Sequence, residues 1–318
     1  MGEKISRIKE NRWTLIMLPI LMLLVIGFFF ASMTKGNFIR ARNLNVILQQ
    51  AMIVATVSTG ACFIFATGNI NIAMGSCTAL VATLAAMIYM ATKSLFIMFA
   101  TAVLLGIAIM IVCVLLSAVL NVMVIHVTIV MMILLAAIQS VILGGSSIDL
   151  PYAMTSGVKN AYVPYIIFTG FVIFSIVVFH FTSIGRHLKM IGSNEKCAEL
   201  TGLTRIRALV VSFVIAGLGA GLAALLIVFR TGSITNTTGG TINTDVMLAI
   251  VLGGMPVFGG SKSRAFAPVI GAVTVTALNN GLLMIGVSAS LVQGVRGIVF
   301  LLLLMGNKRA VLLPAREG

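Results

Sequence analysis

The chain has 318 residues, of which 60% are hydrophobic and 9% charged, and its mean hydropathy is +1.16. A soluble globular domain carries about 25% charged residues, so this composition excludes one. The net charge of +14 comes from bases in short clusters between long apolar runs, the pattern of a polytopic membrane protein and not of a nucleic-acid binder.

A membrane helix needs about 20 mostly apolar residues. Divided at Gly, Asn and Pro, the apolar runs give segments 13–33, 44–66, 72–92, 95–118, 123–145, 163–183, 208–230, 244–259, 265–285 and 289–306. The expected fold is an all-α polytopic membrane protein of about ten transmembrane helices. It has a tail over 1–12, a membrane domain over 13–306 carrying a loop over 184–207, and a second tail over 307–318. The first segment is full span length with no small-residue cleavage site after it, so it reads as retained and not as a signal peptide.

The bases then set the orientation. Lys4, Arg7, Lys9, Arg12, Arg186, Lys189, Lys196, Arg205, Arg207, Lys262, Arg264, Lys308, Arg309 and Arg316 fall on one side. Lys35, Arg40, Arg42, Lys93, Lys159 and Arg230 fall on the other. The richer side faces the cytoplasm, which puts both termini and the 184–207 loop there, in a bacterial inner membrane crossed many times. Arg296 is the one base within a segment, and its long stem is expected to snorkel to the headgroups. Cys62, Cys77, Cys113 and Cys197 have no pairing spacing and read as small hydrophobes, with neither disulfide nor metal site expected.

Three stretches depart from plain lipid-facing helix. Thr67 to Ser76 packs two asparagines and two glycines into a chargeless segment. Exposed backbone polar groups are not tolerated in lipid, whereas an interrupted helix lining a cavity is; an ordinary interhelical loop is the alternative. Leu252 to Ser263 has four glycines and a proline. Gly254 and Gly259 have the spacing of a phosphate loop, but Gly260 and Ser261 intervene before Lys262, so nucleotide binding is not expected. The small residues instead let backbones approach closely or open the helix beside a pore. The two stretches resemble one another loosely, which points to an internal repeat of two halves. The third stretch, Gly192 to Leu203, reads as a short capped helix. Ser193 or Asn194 supplies the N-cap oxygen, Glu195 lies in the first turn, and Gly202 takes the left-handed stop. Cys197, Ala198, Leu200 and Thr201 make a small apolar face, and so short a helix needs a docking partner.

Elsewhere, Asn279 and Asn280 either bond between helices or line a path, because unpaired amides are costly in hydrocarbon. Gln139, Ser140 and His126 are further polar positions. His126, His180 and His187 stand apart from any nucleophile or metal-ligand cluster, so the chain does not read as an enzyme.

Four motifs in order resemble the permease subunits of bacterial ATP-binding cassette importers of the ribose/monosaccharide type. Gly192–Leu203 (GSNEKCAELTGL) is similar to the family's cytoplasmic coupling element, and Asp245–Ser263 (DVMLAIVLGGMPVFGGSKS) to its segment ending in LGG…FGG. Gly68–Ser76 (GNINIAMGS) stands where the family has GGIDLSVGS, and Ala277–Ser288 (ALNNGLLMIGVS) matches its Asn-Asn-Gly segment. The departures are Asn71 for an acid, Cys197 for an alanine, Leu203 for isoleucine, and His126-Val127-Thr128 in place of a Pro-Phe-Ile-Val-Thr pattern.

The resemblance implies a permease dimer working with a cytoplasmic cassette ATPase and a periplasmic solute-binding protein. It needs no cofactor of its own, ATP being bound by the ATPase, and no nucleic acid; membrane lipid surrounds it. The second permease subunit is a copy of this chain or a paralogue, the departures favouring a heterodimer. Such permeases import sugars, and relatives carry autoinducer-2. Asn69, Asn71, Ser76, Asn279 and Asn280 are the expected path for a small uncharged polar solute, since amides both donate and accept hydrogen bonds. Gly192, Asn194, Glu195, Ala198 and Gly202 are the expected ATPase-coupling residues. Two rivals remain: an ion-coupled secondary transporter, for which only Asp245 at a span's edge offers a carboxylate, and a branched-chain amino acid permease of the same ATP-driven class.

Overall fold

The computed structural model describes residues 14–160, 162–256 and 259–307. The predicted tails 1–12 and 307–318 lie, apart from Asn307, outside them, as do Val257 and Phe258 of the second glycine-rich stretch. In chain order the helices are α1 Thr14–Met33, α2 Ala41–Ala66, α3 Met74–Thr92, α4 Leu95–Val119, α5 Val124–Leu143, α6 Tyr152–Asn160, α7 Val163–Phe181, α8 Ser183–Ser193, α9 Glu195–Leu200, α10 Arg205–Thr231, α11 Ile242–Leu252, α12 Ala267–Met284 and α13 Ala289–Asn307. Two two-residue strands, β1 Ile148–Asp149 and β2 Ser233–Ile234, pair antiparallel with Ile148 opposite Ile234.

The centre of the bundle is α10, and its small residues explain why. Lipid tails are as apolar as leucine, so helices associate in a membrane by close packing and not by burial from water. Gly217 and Gly221 lie one turn apart on one face of α10 and meet α4. A Cβ added to Gly106 would stand 2.5 Å from the Gly217 carbonyl oxygen, and one added to Gly221 would stand 2.5 Å from that of Ala102. Another face of α10 meets α2, where a Cβ on Gly60 would lie 3.2 Å from Ala216. α2, α3, α10 and α12 are mostly buried within the chain, whereas α4, α5 and α7 expose Leu104, Val112, Ile133, Leu134, Ile166 and Ile173. Lipid suits such faces. α1, the turn after it and α13 pack against α12 through Phe30, Phe38, Leu278, Leu282 and Val292.

All-α polytopic architecture is what the sequence leads one to expect. Among the described residues seven helices are long and apolar enough to cross a membrane, and Pro19–Met33, Ile242–Leu252 and Ala289–Leu301 are shorter apolar helices. One predicted segment needs correction. Residues 244–259 were expected to form a span, but helix continues only to Leu252; Gly253 caps it, and Gly254 turns the chain at φ 81°. Eleven residues rise about 16 Å, half of the ~30 Å hydrocarbon core. The glycines here bring backbones together: a Cβ on Gly253 would overlap the Ala267 carbonyl, and one on Gly271 that of Ala249. Sequence reading also missed α6 and α8, which lie between apolar runs.

The α4–α10 contact should be intolerant of volume. Overpacking a tight site costs about 1–3 kcal/mol, so Gly106→Leu should lower the midpoint of thermal unfolding in detergent. Gly170→Leu, on an open face of α7 with nothing near its Cα substituent position, should leave it unchanged. Equal midpoints for the two variants would contradict the packing described.

Candidate functional site

Between α2 and α3 the chain leaves the helix and returns through protein. Thr67 ends α2, its hydroxyl donating to the Ile64 carbonyl at 2.6 Å, and Gly68 turns the chain at φ 77°. Asn71 is buried. Its Oδ1 accepts from the Ala73 N–H at 2.8 Å, and its Nδ2 points at the Met110 sulfur of α4, 3.2 Å away. The Ile72 N–H donates to Thr128 Oγ1 of α5 at 3.4 Å. Asn69 bonds locally, to the carbonyl and hydroxyl of Thr67. Of the two sequence readings, an exposed interhelical loop is the one the packing disfavours. Irregular backbone is tolerated at membrane depth when protein groups satisfy it, and here α4 and α5 supply them.

The first turn of α11 carries a chain of polar side chains across the bundle. Asn243 Oδ1 accepts from the Gly75 N–H at 2.6 Å, and its Nδ2 donates to Ser76 Oγ at 3.3 Å, clipping α11 to the start of α3. One half-turn on, Asp245 is buried at the helix N-terminus, where a negative charge is favoured. Its Oδ1 accepts from Asn279 Nδ2 of α12 at 3.2 Å. Arg296 of α13 donates through Nε to Asn279 Oδ1 at 2.6 Å, while its Nη1 lies 3.1 Å from Asp245 Oδ1 as an ion-pair contact. Each of the three helices therefore contributes one member of an Asp–Asn–Arg triad. Asn280, next on α12, is half-buried with its Oδ1 unpartnered among the described residues.

One expectation is corrected by this triad. Arg296 does not snorkel; it is 8% exposed, because a carboxylate and an amide carbonyl meet it inside the bundle. Asp245 lies in the first turn of α11, at the edge expected of it, but is 2% exposed and committed to Arg296 and Asn279. Sequence reasoning missed Asn243. Its spacing of two from Asp245 at the mouth of a short apolar helix was the available signal.

At the other end of α11 and α2, three backbone segments converge. The Gly260 N–H donates to the Ala66 carbonyl, the last of α2, at 3.1 Å. The Ser261 N–H donates to Ser193 Oγ, the last residue of α8, at 2.9 Å. A Cβ on Gly192 would overlap the Ala66 carbonyl oxygen, and one on Gly259, itself at φ 69°, would overlap that of Phe65. Only glycine fits either place. α8 is pinned to the end of α7 by the Lys189 ammonium, 4.4 Å above the Phe179 ring; burial pushes this ammonium below the ordinary lysine value. The Ala265 N–H donates to His180 Nε2 at 3.4 Å, tying α7 to the same loop.

α9 follows at once and has the caps expected of it. Asn194, not Ser193, is the N-cap, its Oδ1 accepting from the Cys197 N–H at 3.2 Å. Gly202 turns left-handed at φ 83°. Glu195 pairs with Arg205 at 3.1 Å, half-exposed and so worth about 0–1 kcal/mol. The expected apolar face is divided: Ala198 turns inward and is buried, while Leu200 is 89% exposed and Cys197 and Thr201 are exposed. Of the five residues expected to line a path, Asn279 is a member of the triad, Asn280 is its neighbour on α12, and Ser76 is bonded to Asn243 at the start of α11. Asn71 lies deeper in the α3–α4–α5 packing, and Asn69 stands apart from both.

The chain matches the family model described as branched-chain amino acid transport system / permease component over residues 43–304. It is 30% identical over 299 residues to the ribose import permease protein of Escherichia coli strain K12, covering 91% of this chain and 93% of that one. Against the ribose import permease protein of Haemophilus influenzae it is 26% identical over 293 residues, 89% and 90% of the two chains. A shorter likeness, 30% over 145 residues and 46% of this chain and 44% of the other, is to an autoinducer 2 import system permease protein of Yersinia enterocolitica. No solved structure matches the chain.

The triad makes a signed prediction. Removing one partner of a buried ion pair costs about 3–5 kcal/mol, whereas replacing both by apolar groups is often neutral. Asp245→Asn and Arg296→Met should each lower the unfolding midpoint in detergent, and the double variant should recover most of the loss. Additive losses in the double variant would contradict the pairing.

Proposed function

We infer the role of this chain from the family it belongs to, the permease components of the branched-chain amino acid transport system type, whose model spans most of its length. It is a membrane transport permease subunit. On our reading it forms the path of an ATP-driven importer for a sugar or similar small polar uncharged solute. A periplasmic binding protein delivers the solute, and a separate cassette ATPase supplies the energy. The observation that carries this reading is the likeness to a ribose import permease over 91% of the chain.

In this proposal ten helices cross the bacterial inner membrane, α11 with the glycine-rich loop after it serving as one crossing. Both termini and the α8–α9 elbow face the cytoplasm, as the excess of bases on that side supports. The permease works as a dimer with a copy of itself or a paralogue. The ATPase seats α9, and Leu200 is the apolar knob it grips. Movement of α9 pulls Gly192 and Ser193, which press on the end of α2 and on the 259–261 loop. These two points flank the interrupted segments 67–73 and 253–266, so one displacement reaches both. Asn69, Asn71, Ser76, Asn279 and Asn280 remain our candidates for solute contact, with Asn280 favoured by its unpartnered oxygen. Asn194, Glu195, Ala198 and Gly202 hold α9 in shape, and Ala198 does so from its inner side.

The family description favours a second reading, in which the cargo is a branched-chain amino acid. Uptake of labelled D-ribose against labelled L-leucine by the intact transporter distinguishes them.

Two variants test the coupling route in proteoliposomes containing the permease and its ATPase. Leu200→Glu should weaken ATPase association at least about tenfold, ~1.4 kcal/mol for loss of one apolar anchor. Gly192→Val should leave the ATPase bound and hydrolysing while uptake falls to background. Uptake that survives in both would contradict the route.

A further inference from the structure

At the end of α2 opposite the glycine junction, the ends of α2, α7 and α10 enclose a cavity of about 320 Å³. Its rim is polar: Asn45 and Gln49 from α2, Tyr165 from α7 and the half-buried Arg230 from α10, with Tyr162 at the mouth. Its floor is apolar, with the buried Met52 and Phe229. We propose that this cavity is a receiving subsite for an uncharged polyhydroxylated solute of monosaccharide size on the face opposite the α8–α9 elbow. The proposal rests on the importer reading above for its cargo class and for which face the solute meets first.

Four observations carry it. The volume lies at the lower end of the roughly 300–1,000 Å³ of clefts that hold small molecules. The rim combines amides that donate and accept, a phenol that does both, and a guanidinium that donates. A ring of hydroxyls can answer every one of these, and the lining has no carboxylate to recruit a cation. Asn45, Gln49 and Met52 follow one another at four- and three-residue spacing along α2, so one helix face carries the amides down to the floor. Polar side chains on such a face of a membrane helix are costly and mark ligand pathways.

The fourth observation is backbone strain. Tyr162 sits at φ 55°, ψ 14° as the N-cap of α7, a left-handed conformation that a residue with a Cβ rarely adopts. Strain of this kind collects at ligand clamps. Here it brings the Tyr162 ring to 6.3 Å from that of Tyr165, a pair of aromatic faces on which the C–H face of a sugar can lie. Interfacial tyrosines alone would point their hydroxyls to headgroups. Tyr165 instead turns its hydroxyl to Asn45 Oδ1, at 3.4 Å.

The test uses the whole chain in phosphatidylcholine nanodiscs and saturation-transfer NMR with D-ribose and, separately, L-leucine as probes. The variants are Gln49→Leu and Asn45→Leu, neither in the packed core, each checked for native helicity by circular dichroism; Ser140→Ala, at an exposed position of α5, is the control. We expect a D-ribose signal in the parent and in Ser140→Ala that falls at least about tenfold in both rim variants, the size of one or two lost hydrogen bonds. A D-ribose signal untouched by the rim variants overturns the subsite and leaves the sugar-importer reading standing. A rim-dependent signal from L-leucine with none from D-ribose overturns the proposed ligand class and the sugar reading together. No signal from either probe overturns the subsite.

Discussion

A helix that breaks inside a bilayer finds no water to complete its hydrogen bonds, so every freed amide must be answered by protein. That constraint organises this molecule. The chain breaks after Ala66 and again after Leu252, and each break is completed by the other's neighbourhood. Asn243, in the first turn of α11, holds the Gly75 N–H and the Ser76 hydroxyl at the start of α3. The Gly260 N–H, in the loop after α11, is held by the Ala66 carbonyl at the end of α2. The first break is thus held on one side by the start of α11 and on the other by the loop that follows it.

The second consequence concerns charge. Asp245 and Arg296 would each be expensive alone at membrane depth, and Asn279 bridges them with one donor and one acceptor. The triad ties α11, α12 and α13 at one level of the bundle while the glycine junction ties α2, α8 and the 259–261 loop at another. Between these ties lies α11, a half-length helix with fixed partners at both ends.

Much of this was legible in the sequence because its physics is local. Apolar run length gave the positions of the long helices, and side-chain caps gave α9, whose Asn194 and Gly202 do what their residue types suggest. Backbone contact at the LGG segment followed from glycine content, and the structure shows it at Gly253 and Gly259. What was not legible depends on partners far along the chain. Arg296 looks like a snorkelling base until Asp245 is brought to it, and Asn243 carries no distinctive motif. α8 hides in a basic loop although Ile184, Leu188 and Ile191 keep helical spacing. Its short apolar stripe was outweighed by the charges between. The inward turn of Ala198 and outward turn of Leu200 required the docked helix itself.

In the proposed mechanism the elbow and both broken segments move as one body. A disulfide between Ser193→Cys and Ser261→Cys, in a background carrying Cys197→Ala, tests this when nucleotide-driven uptake is measured before and after reduction. Uptake should be undiminished with the bond closed, because those two residues stay together throughout the cycle. Uptake that stops on oxidation and returns on reduction would show the junction opening at every turnover and would contradict it.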